Sequence, residues 1–148
     1  MTTTTSVTFS ERLHPSAGWA IAGFLLSAMT SLLLVPVNPW AGVVLALLVM
    51  IAVAIGFARA SARVLVTQDT FAAGGAAIDR RFIAGAEGFD AQESFRQRGQ
   101  KLDVRAFLVL RPWVKTVVKV ELNDPADPTP YWLVSTRHPQ ELAAALRA

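Results

Sequence analysis

The sequence contains two long apolar blocks, AGWAIAGFLLSAMTSLLLVPV at positions 17–37 and WAGVVLALLVMIAVAIGFA at positions 40–58. No Asp, Glu, Lys or Arg occurs between Leu13 and Ala58. As helices the two blocks would be about 32 Å and about 28 Å long, which matches a hydrocarbon core of roughly 30 Å. They therefore predict two membrane-spanning helices.

A short break separates the two blocks. Pro36, Asn38 and Pro39 end the first helix, because proline lacks an N–H and restricts the residue before it. The pattern predicts a transmembrane helical hairpin. A cleaved signal peptide is the alternative for the first block. It fits poorly, because Arg12 is balanced by Glu11 and a second apolar run follows at once.

The flanking charges predict the orientation of this hairpin. Arg12 lies before it and Arg59 and Arg63 follow it, whereas the turn carries no charge. Because basic residues favour the cytoplasmic side, we expect a multi-pass protein of the cell (inner) membrane with both termini in the cytoplasm. The first block also has small residues at four-residue spacing, which favours close helix packing; purely lipid-facing composition explains them equally well. They are Gly23, Ser27 and Ser31.

Composition excludes several classes of function. Of 148 residues, 53% are apolar and only 17% are charged, and the mean hydropathy is +0.40, which is unusual for a soluble globule. The chain has no Cys and only two His, so it has no disulfides, thiolate sites or multi-His metal site. We expect no cofactor and no metal.

Residues 59–148 differ sharply from the apolar blocks, since they hold 13 of the 14 basic and 10 of the 11 acidic residues. We expect them to form a cytoplasmic β-rich domain, preceded in the sequence by a cytoplasmic tail at 1–16 and the hairpin at 17–58. A net charge of +3 with interleaved acids is not the clustered basic face of a nucleic-acid-binding protein.

Local patterns predict the elements of this domain. Short strands are predicted at 63–67, 70–73, 76–80, 102–110, 114–122 and 131–136, with a Gly-Gly turn at 74–75. Helices are predicted at 91–98, between Asp90 and Gly99, and at 139–147. This order is typical of a small α+β domain with an antiparallel sheet and a C-terminal helix, by analogy PH-like.

The two strongest strands, 102–110 and 114–122, predict a hairpin. A three-residue turn at 111–113 pairs Leu110 with Val114 and Ala106 with Val118 on one apolar face. A two-residue turn would instead bury lysines on that face, which costs several kcal/mol each. The three-residue turn is therefore expected, and it places four basic residues on the opposite face. They are Arg105, Arg111, Lys115 and Lys119.

Candidate binding residues follow from the preference of binding sites for Arg and aromatic side chains. They are Arg105, Arg111, Trp113, Lys115, Lys119, Tyr131 and Trp132. Core packing of Trp132 and turn packing of Trp113 are the alternatives. Asp124 and Asp127 are expected to cap a turn rather than to bind a cation.

Two segments resemble a known family. They are Arg111-Pro112-Trp113-Val114 and VELNDPADPTPYWLVSTR at 120–137. The chain resembles the actinobacterial membrane family catalogued as domain of unknown function 3093. Glu11-Arg12-Leu13 is similar to its amino-terminal signature. The resemblance implies two helices and a cytoplasmic β-rich domain, and it supplies no catalytic residues. Asn123 stands where the family is expected to have an acid.

These features predict a non-enzymatic, membrane-anchored adaptor whose PH-like domain binds a protein partner or, as a weaker alternative, anionic lipid. A second hypothesis is an accessory subunit of a larger membrane complex, favoured by the small residues of the first block. A third is an enzyme at the membrane surface. Ser135 and His138 are its nearest candidates, and the sequence marks neither an oriented base nor an oxyanion hole.

Overall fold

The computed structural model describes residues 7–148, and the chain divides into two compact units. The helical unit is His14–Ser61. The β unit combines the segment that ends at Leu13 with Ala62–Ala148. The helical unit is therefore inserted into the sequence of the β unit.

The helical unit contains α1 (Ala17–Leu32) and α2 (Pro39–Ala60). The Asn38 side chain accepts hydrogen bonds from the backbone N–H groups of the second and third helical residues, and this caps α2. The prediction of a helix over 17–37 is wrong at its end, because α1 stops at Leu32 and residues 33–37 form turns. Pro36 has no N–H with which to continue the helical ladder.

The small-residue face of α1 packs closely on α2. The Ser27 hydroxyl donates a 2.6 Å hydrogen bond to the Ala46 carbonyl. A methyl group added at Gly23 would lie 2.7 Å from a Val53 methyl carbon, so a larger residue would force the two helices or that side chain to shift. Of the two explanations that the sequence left open for these small residues, the structure shows close helix packing.

Most apolar side chains of α2 are exposed, and Gly42 is its only buried residue. Among the described helices, only α2, with 22 residues and a mean hydropathy of 2.8, is long and apolar enough to cross a membrane. Helix α1 is also apolar but has 16 residues.

The first sheet of the β unit is antiparallel, in the order β1-β2-β3-β4. Its strands are β1 (Val7–Leu13), β2 (Ala62–Thr67), β3 (Thr70–Ala73) and β4 (Ala76–Asp79). The predicted Gly-Gly turn between β3 and β4 is confirmed. Gly74 and Gly75 have φ of 62° and 101°, a region that side-chain-bearing residues rarely adopt.

Strand β1 corrects the prediction of an N-terminal tail. Residues 7–13 pair with β2 across the inserted helices, and Leu13 is fully buried opposite Ala62. The short stretch 7–13 has no pairing partner nearby in the sequence, so its strand character depends on a contact that local patterns do not reveal. Of the other residues of the predicted tail, 14–16 belong to the helical unit and 1–6 lie outside the described residues.

The second sheet has the order β5-β7-β8-β6. Its strands are β5 (Ile83–Phe89), β6 (Phe107–Val109), β7 (Val117–Leu122) and β8 (Tyr131–Ser135). Neighbouring strands are antiparallel except β6 and β8, which are parallel. A 3₁₀ turn at Arg80–Phe82 leads from the first sheet to the second.

The predicted hairpin of 102–110 with 114–122 is wrong. Strand β8 lies between β6 and β7, and Val118 pairs with Val134 and Gly88 rather than with Ala106. All five residues of β8 are buried. A central position in the sheet suits this strand, because it removes the apolar side chains on both of its faces from water. Of the predicted strand 102–110, only 107–109 remains extended.

Two helices complete the β unit, α3 (Ala91–Arg98) and α4 (Pro139–Arg147), both at the predicted positions. The Asp90 side chain accepts from the Glu93 N–H at 2.8 Å and caps α3 as expected. The main core lies between the two sheets and α4. Its largest fully buried members are Phe71, Leu13, Leu142, Val64, Val66, Val114, Val118, Val120 and Val134.

Candidate binding surface

Trp132 lies in the core rather than at a surface. It is 6% exposed, and its ring centroid is 5.7 Å from that of Phe71 and 4.7 Å from that of Phe107. Because the ring joins β3, β6 and β8, its role is packing. This is the alternative that the sequence left open.

Tyr131 faces the other side of the second sheet and holds a loop in place. Its hydroxyl accepts from the Asp103 N–H at 2.8 Å and lies 3.4 Å from the Lys101 carbonyl. The Lys119 ammonium stands 4.7 Å from the ring centroid and 3.1 Å from a Glu121 carboxylate oxygen. The structure therefore brings Lys119 and Tyr131 together, with the lysine charge paired.

Other basic residues near this loop are also paired with acids. Arg105 contacts Asp103 at 3.3 Å, and its hydrogen bond lowers the pKa of the Asp103 carboxyl. Lys101 and Arg96 both contact Glu93, and the hydrogen bond from Lys101 lowers the pKa of Glu93. Arg105 and Lys119 do not share the single basic face that the hairpin predicted, because that hairpin does not form.

The connection between β6 and β7 passes over the end of β8. The Arg111 N–H donates to the Ser135 hydroxyl at 3.0 Å, and the Trp113 indole N–H donates to the Leu13 carbonyl at 3.3 Å. Trp113 also packs against the main core, while Lys115 is exposed. Residues 111–115, called the 111–115 turn below, thus hold three of the predicted site residues.

Arg98 belongs to the same region, although it is not among the site residues that the sequence predicts. Its Nη2 donates to the Val114 carbonyl at 2.8 Å, and burial lowers the pKa of its guanidinium. Arg111 donates through Nη1 to the Leu110 carbonyl at 2.8 Å. The Nε atoms of both arginines are buried and have no hydrogen-bond partner among the described residues. The position of Arg98 in the last turn of α3 was the only signal in the sequence.

A second polar cluster joins β1 to the segment between β8 and α4. The Glu11 side chain, 8% exposed, accepts from the Thr136 hydroxyl at 2.5 Å and from the Arg137 N–H at 3.0 Å. His138 Nδ1 lies 3.9 Å from the same carboxylate. Ser135, whose hydroxyl binds Arg111, is engaged elsewhere.

The Pro-rich loop after β7 is a pair of capped turns, as predicted. Asp124 accepts from the Ala126 N–H and Asp127 from the Thr129 N–H, both at 2.9 Å. The bond from Thr129 lowers the pKa of Asp127. Within residues 7–148, no three His, Asp or Glu side chains lie close enough together to hold a metal ion.

The fold and these surfaces define a protein in which an apolar helical pair is inserted into a two-sheet β unit. The chain belongs to the family described as "Protein of unknown function (DUF3093)", whose model matches residues 8–146. The resemblance seen in the sequence is confirmed at the level of that family. No curated protein and no solved structure matches the chain.

Proposed function

We propose that this is a membrane-anchored, non-enzymatic binding protein. In this proposal the helical pair crosses the cell membrane twice and the β unit is a PH-like module in the cytoplasm that binds a protein partner or anionic lipid. The observation that carries the proposal is the pairing of β1 with β2. Leu13, just before the helical unit, lies opposite Ala62, just after it.

This pairing supports an even number of membrane crossings. Opposed residues of an antiparallel ladder have Cα atoms about 5 Å apart. The chain therefore leaves the β unit and returns to it at nearly the same point, on one side of any bilayer. If α2 crosses, residues 14–38 cross in the opposite direction, and the turn near Val37 lies on the far side. Local thinning of the bilayer and the apolar turn at 33–37 offset the short length of α1.

Exposed apolar side chains support a binding role for the β unit. Outside the helical unit, the large apolar residues with substantial exposure concentrate in a short segment from α3 to β6. They are Phe95 (80%), Val104 (97%), Phe107 (36%) and Leu108 (42%), apart from Val7 at the start of the described chain. Large apolar side chains exposed to solvent are candidates for contact with a partner.

Cysteine labelling tests the topology, because the chain contains no cysteine. Val37→Cys, at a position 82% exposed in the turn, should react with an impermeant maleimide on intact cells. Ala126→Cys, exposed in the Pro-rich loop, should react only after permeabilisation. The opposite pattern, or equal labelling of both positions in intact cells, would contradict the proposal. The unmodified chain gives the background.

An accessory subunit of a larger membrane complex is the second candidate. The exposed apolar side chains of α2 motivate it, because they offer a surface that a transmembrane helix of another protein could cover. Purification in mild detergent distinguishes the two. A stoichiometric integral membrane partner supports the subunit hypothesis, and a soluble partner supports the adaptor.

A further inference from the structure

We propose that Arg98 and the 111–115 turn form a binding site for a phosphate group. The proposal deepens the function given above, because it names the ligand class of the β unit, and in that respect it rests on that unit being a binding module. The site is built by the end of α3 and by the connection from β6 to β7.

The two arginines converge on one short segment. Arg98 binds the carbonyl of Val114 and Arg111 binds the carbonyl of Leu110, each at 2.8 Å. The Val114 N–H donates to the Arg111 carbonyl at 3.0 Å and closes the turn between those two carbonyls. Both guanidinium groups are therefore anchored, through one nitrogen each, to residues 110–114, which overlap the 111–115 turn.

The charges of these arginines are not compensated within residues 7–148. Four other arginines have a carboxylate oxygen at 3.2 to 3.9 Å, namely Arg81, Arg96, Arg105 and Arg137. Arg80 donates to three backbone carbonyls. Arg98 and Arg111 have no carboxylate partner and a buried, unpaired Nε, which is costly for a charged group. An anion at their remaining N–H groups would leave the buried Nε atoms unpaired, but it would compensate the charge of both guanidinium groups.

Phosphate suits this arrangement better than a carboxylate. A guanidinium group offers a planar fork of N–H donors that matches phosphate oxygens, and a phosphate has enough oxygens to accept from two arginines at once. No Asp or Glu lies between Asp103 and Glu121 in the sequence, and Lys115 adds an exposed cation beside Val114. The phosphate could belong to a lipid headgroup or to a free phosphate compound.

The test uses the full chain in nanodiscs and measures its melting temperature. In phosphatidylcholine discs, inorganic phosphate is titrated against chloride at equal ionic strength. In a second arm without added phosphate, discs that contain phosphatidylglycerol, whose headgroup phosphate carries a net negative charge, are compared with phosphatidylcholine discs, whose headgroup phosphate is neutralised by its own choline. A rise in melting temperature only with inorganic phosphate identifies a free phosphate compound as the source, and a rise only in phosphatidylglycerol discs identifies the headgroup.

Arg111→Gln should raise the apparent dissociation constant at least tenfold. The matched control is Arg81→Gln, which removes an exposed arginine paired with Asp79 and should leave binding unchanged. If Arg111→Gln fails to fold, Arg111→Lys keeps the charge but loses the fork and should still weaken binding. No shift in either arm, or equal shifts in the Arg111 and Arg81 variants, overturns the site.

Alkaline carbonate extraction of cell membranes tests the proposed membrane anchor separately from the phosphate site. If carbonate extracts the chain and the chain still binds phosphate, only the membrane anchor is contradicted and the phosphate site stands. If the chain stays in the membrane and its melting temperature responds to neither phosphate source, only the phosphate site is contradicted.

Discussion

Glu11 is the residue whose contacts reach furthest along the chain. Its carboxylate binds the Thr136 hydroxyl and the Arg137 N–H, 125 and 126 residues away. Because the side chain is nearly buried, water cannot replace these bonds, and a group left unpaired there costs about 1–3 kcal/mol. The bonds of one side chain thus hold β1 against the segment between β8 and α4.

Glu11→Gln should therefore destabilise the β unit by about 1–3 kcal/mol, because the amide removes the charge and its NH2 group replaces one of the two oxygens that accept from Thr136 and Arg137, which leaves one of those donors facing another donor. Denaturant unfolding of the full chain in detergent measures the change. Glu121→Gln is the control, since Glu121 forms an exposed pair with Lys119, and exposed pairs contribute little. Equal stability of Glu11→Gln and the unmodified chain would show that the buried carboxylate is dispensable.

At the scale of elements, the close contact between β5 and α4 depends on a glycine. A methyl group added at Gly88 would meet the Pro139 carbonyl oxygen at 2.5 Å and its carbon at 2.6 Å. Backbone atoms cannot rotate away as a flexible side chain can. The first turn of α4 therefore lies directly on β5.

Gly88→Ala should push α4 away from the strand and cost about 1–3 kcal/mol, the usual range for overpacking. Gly85→Ala on the same strand is the matched control, because its nearest new contact, a Glu121 oxygen at 3.9 Å, is ordinary. Thermal unfolding of both variants in detergent checks the difference. A melting temperature for Gly88→Ala equal to that of Gly85→Ala would refute this account of the contact.

Local signals in the sequence were sufficient to predict the helix ends and tight turns but not the pairing of the strands. The cap at Asp90, the glycines at 74 and 75 and the proline at 139 determine their turns and helix ends from a few neighbouring residues. Which strands pair depends on how side chains pack throughout the core. The sequence could not show that β8 separates β6 from β7 or that β1 pairs across the helices, and it gave no indication of β5.

The candidate site also contains residues that local signals predict and residues that only the packing of the fold brings together. Arg111 could be selected from its residue type and its place in a turn. Arg98 could not, because its role depends on a contact with the Val114 carbonyl, 16 residues away, that only the packing of α3 creates. The predicted basic face failed for the same reason, since it depended on the pairing of two strands that are not neighbours.

At the scale of the whole molecule, the helical unit is an insertion that begins and ends at one rung of a β-ladder. Leu13 and Ala62 are opposed, so a two-residue turn could join them directly. Replacement of residues 14–61 by Asn-Gly should give a β unit that unfolds cooperatively without detergent. Residues 62–148 alone should not, because they lack β1 and its buried Leu13. Circular dichroism during heating compares the two, and cooperative unfolding of 62–148 alone would contradict the prediction.

The pairing of β1 with β2 also sets an order of events during synthesis. Strand β1 leaves the ribosome first, but its partner is made only after the 48 residues from His14 to Ser61. At about 5–20 residues per second, β1 waits roughly 2–10 s without its neighbour, and the β unit closes only afterwards. A chain that stops within the helices therefore exposes an unpaired strand that cellular proteases can degrade. In the natural chain, the ribosome must therefore finish the helical unit before the β unit can fold.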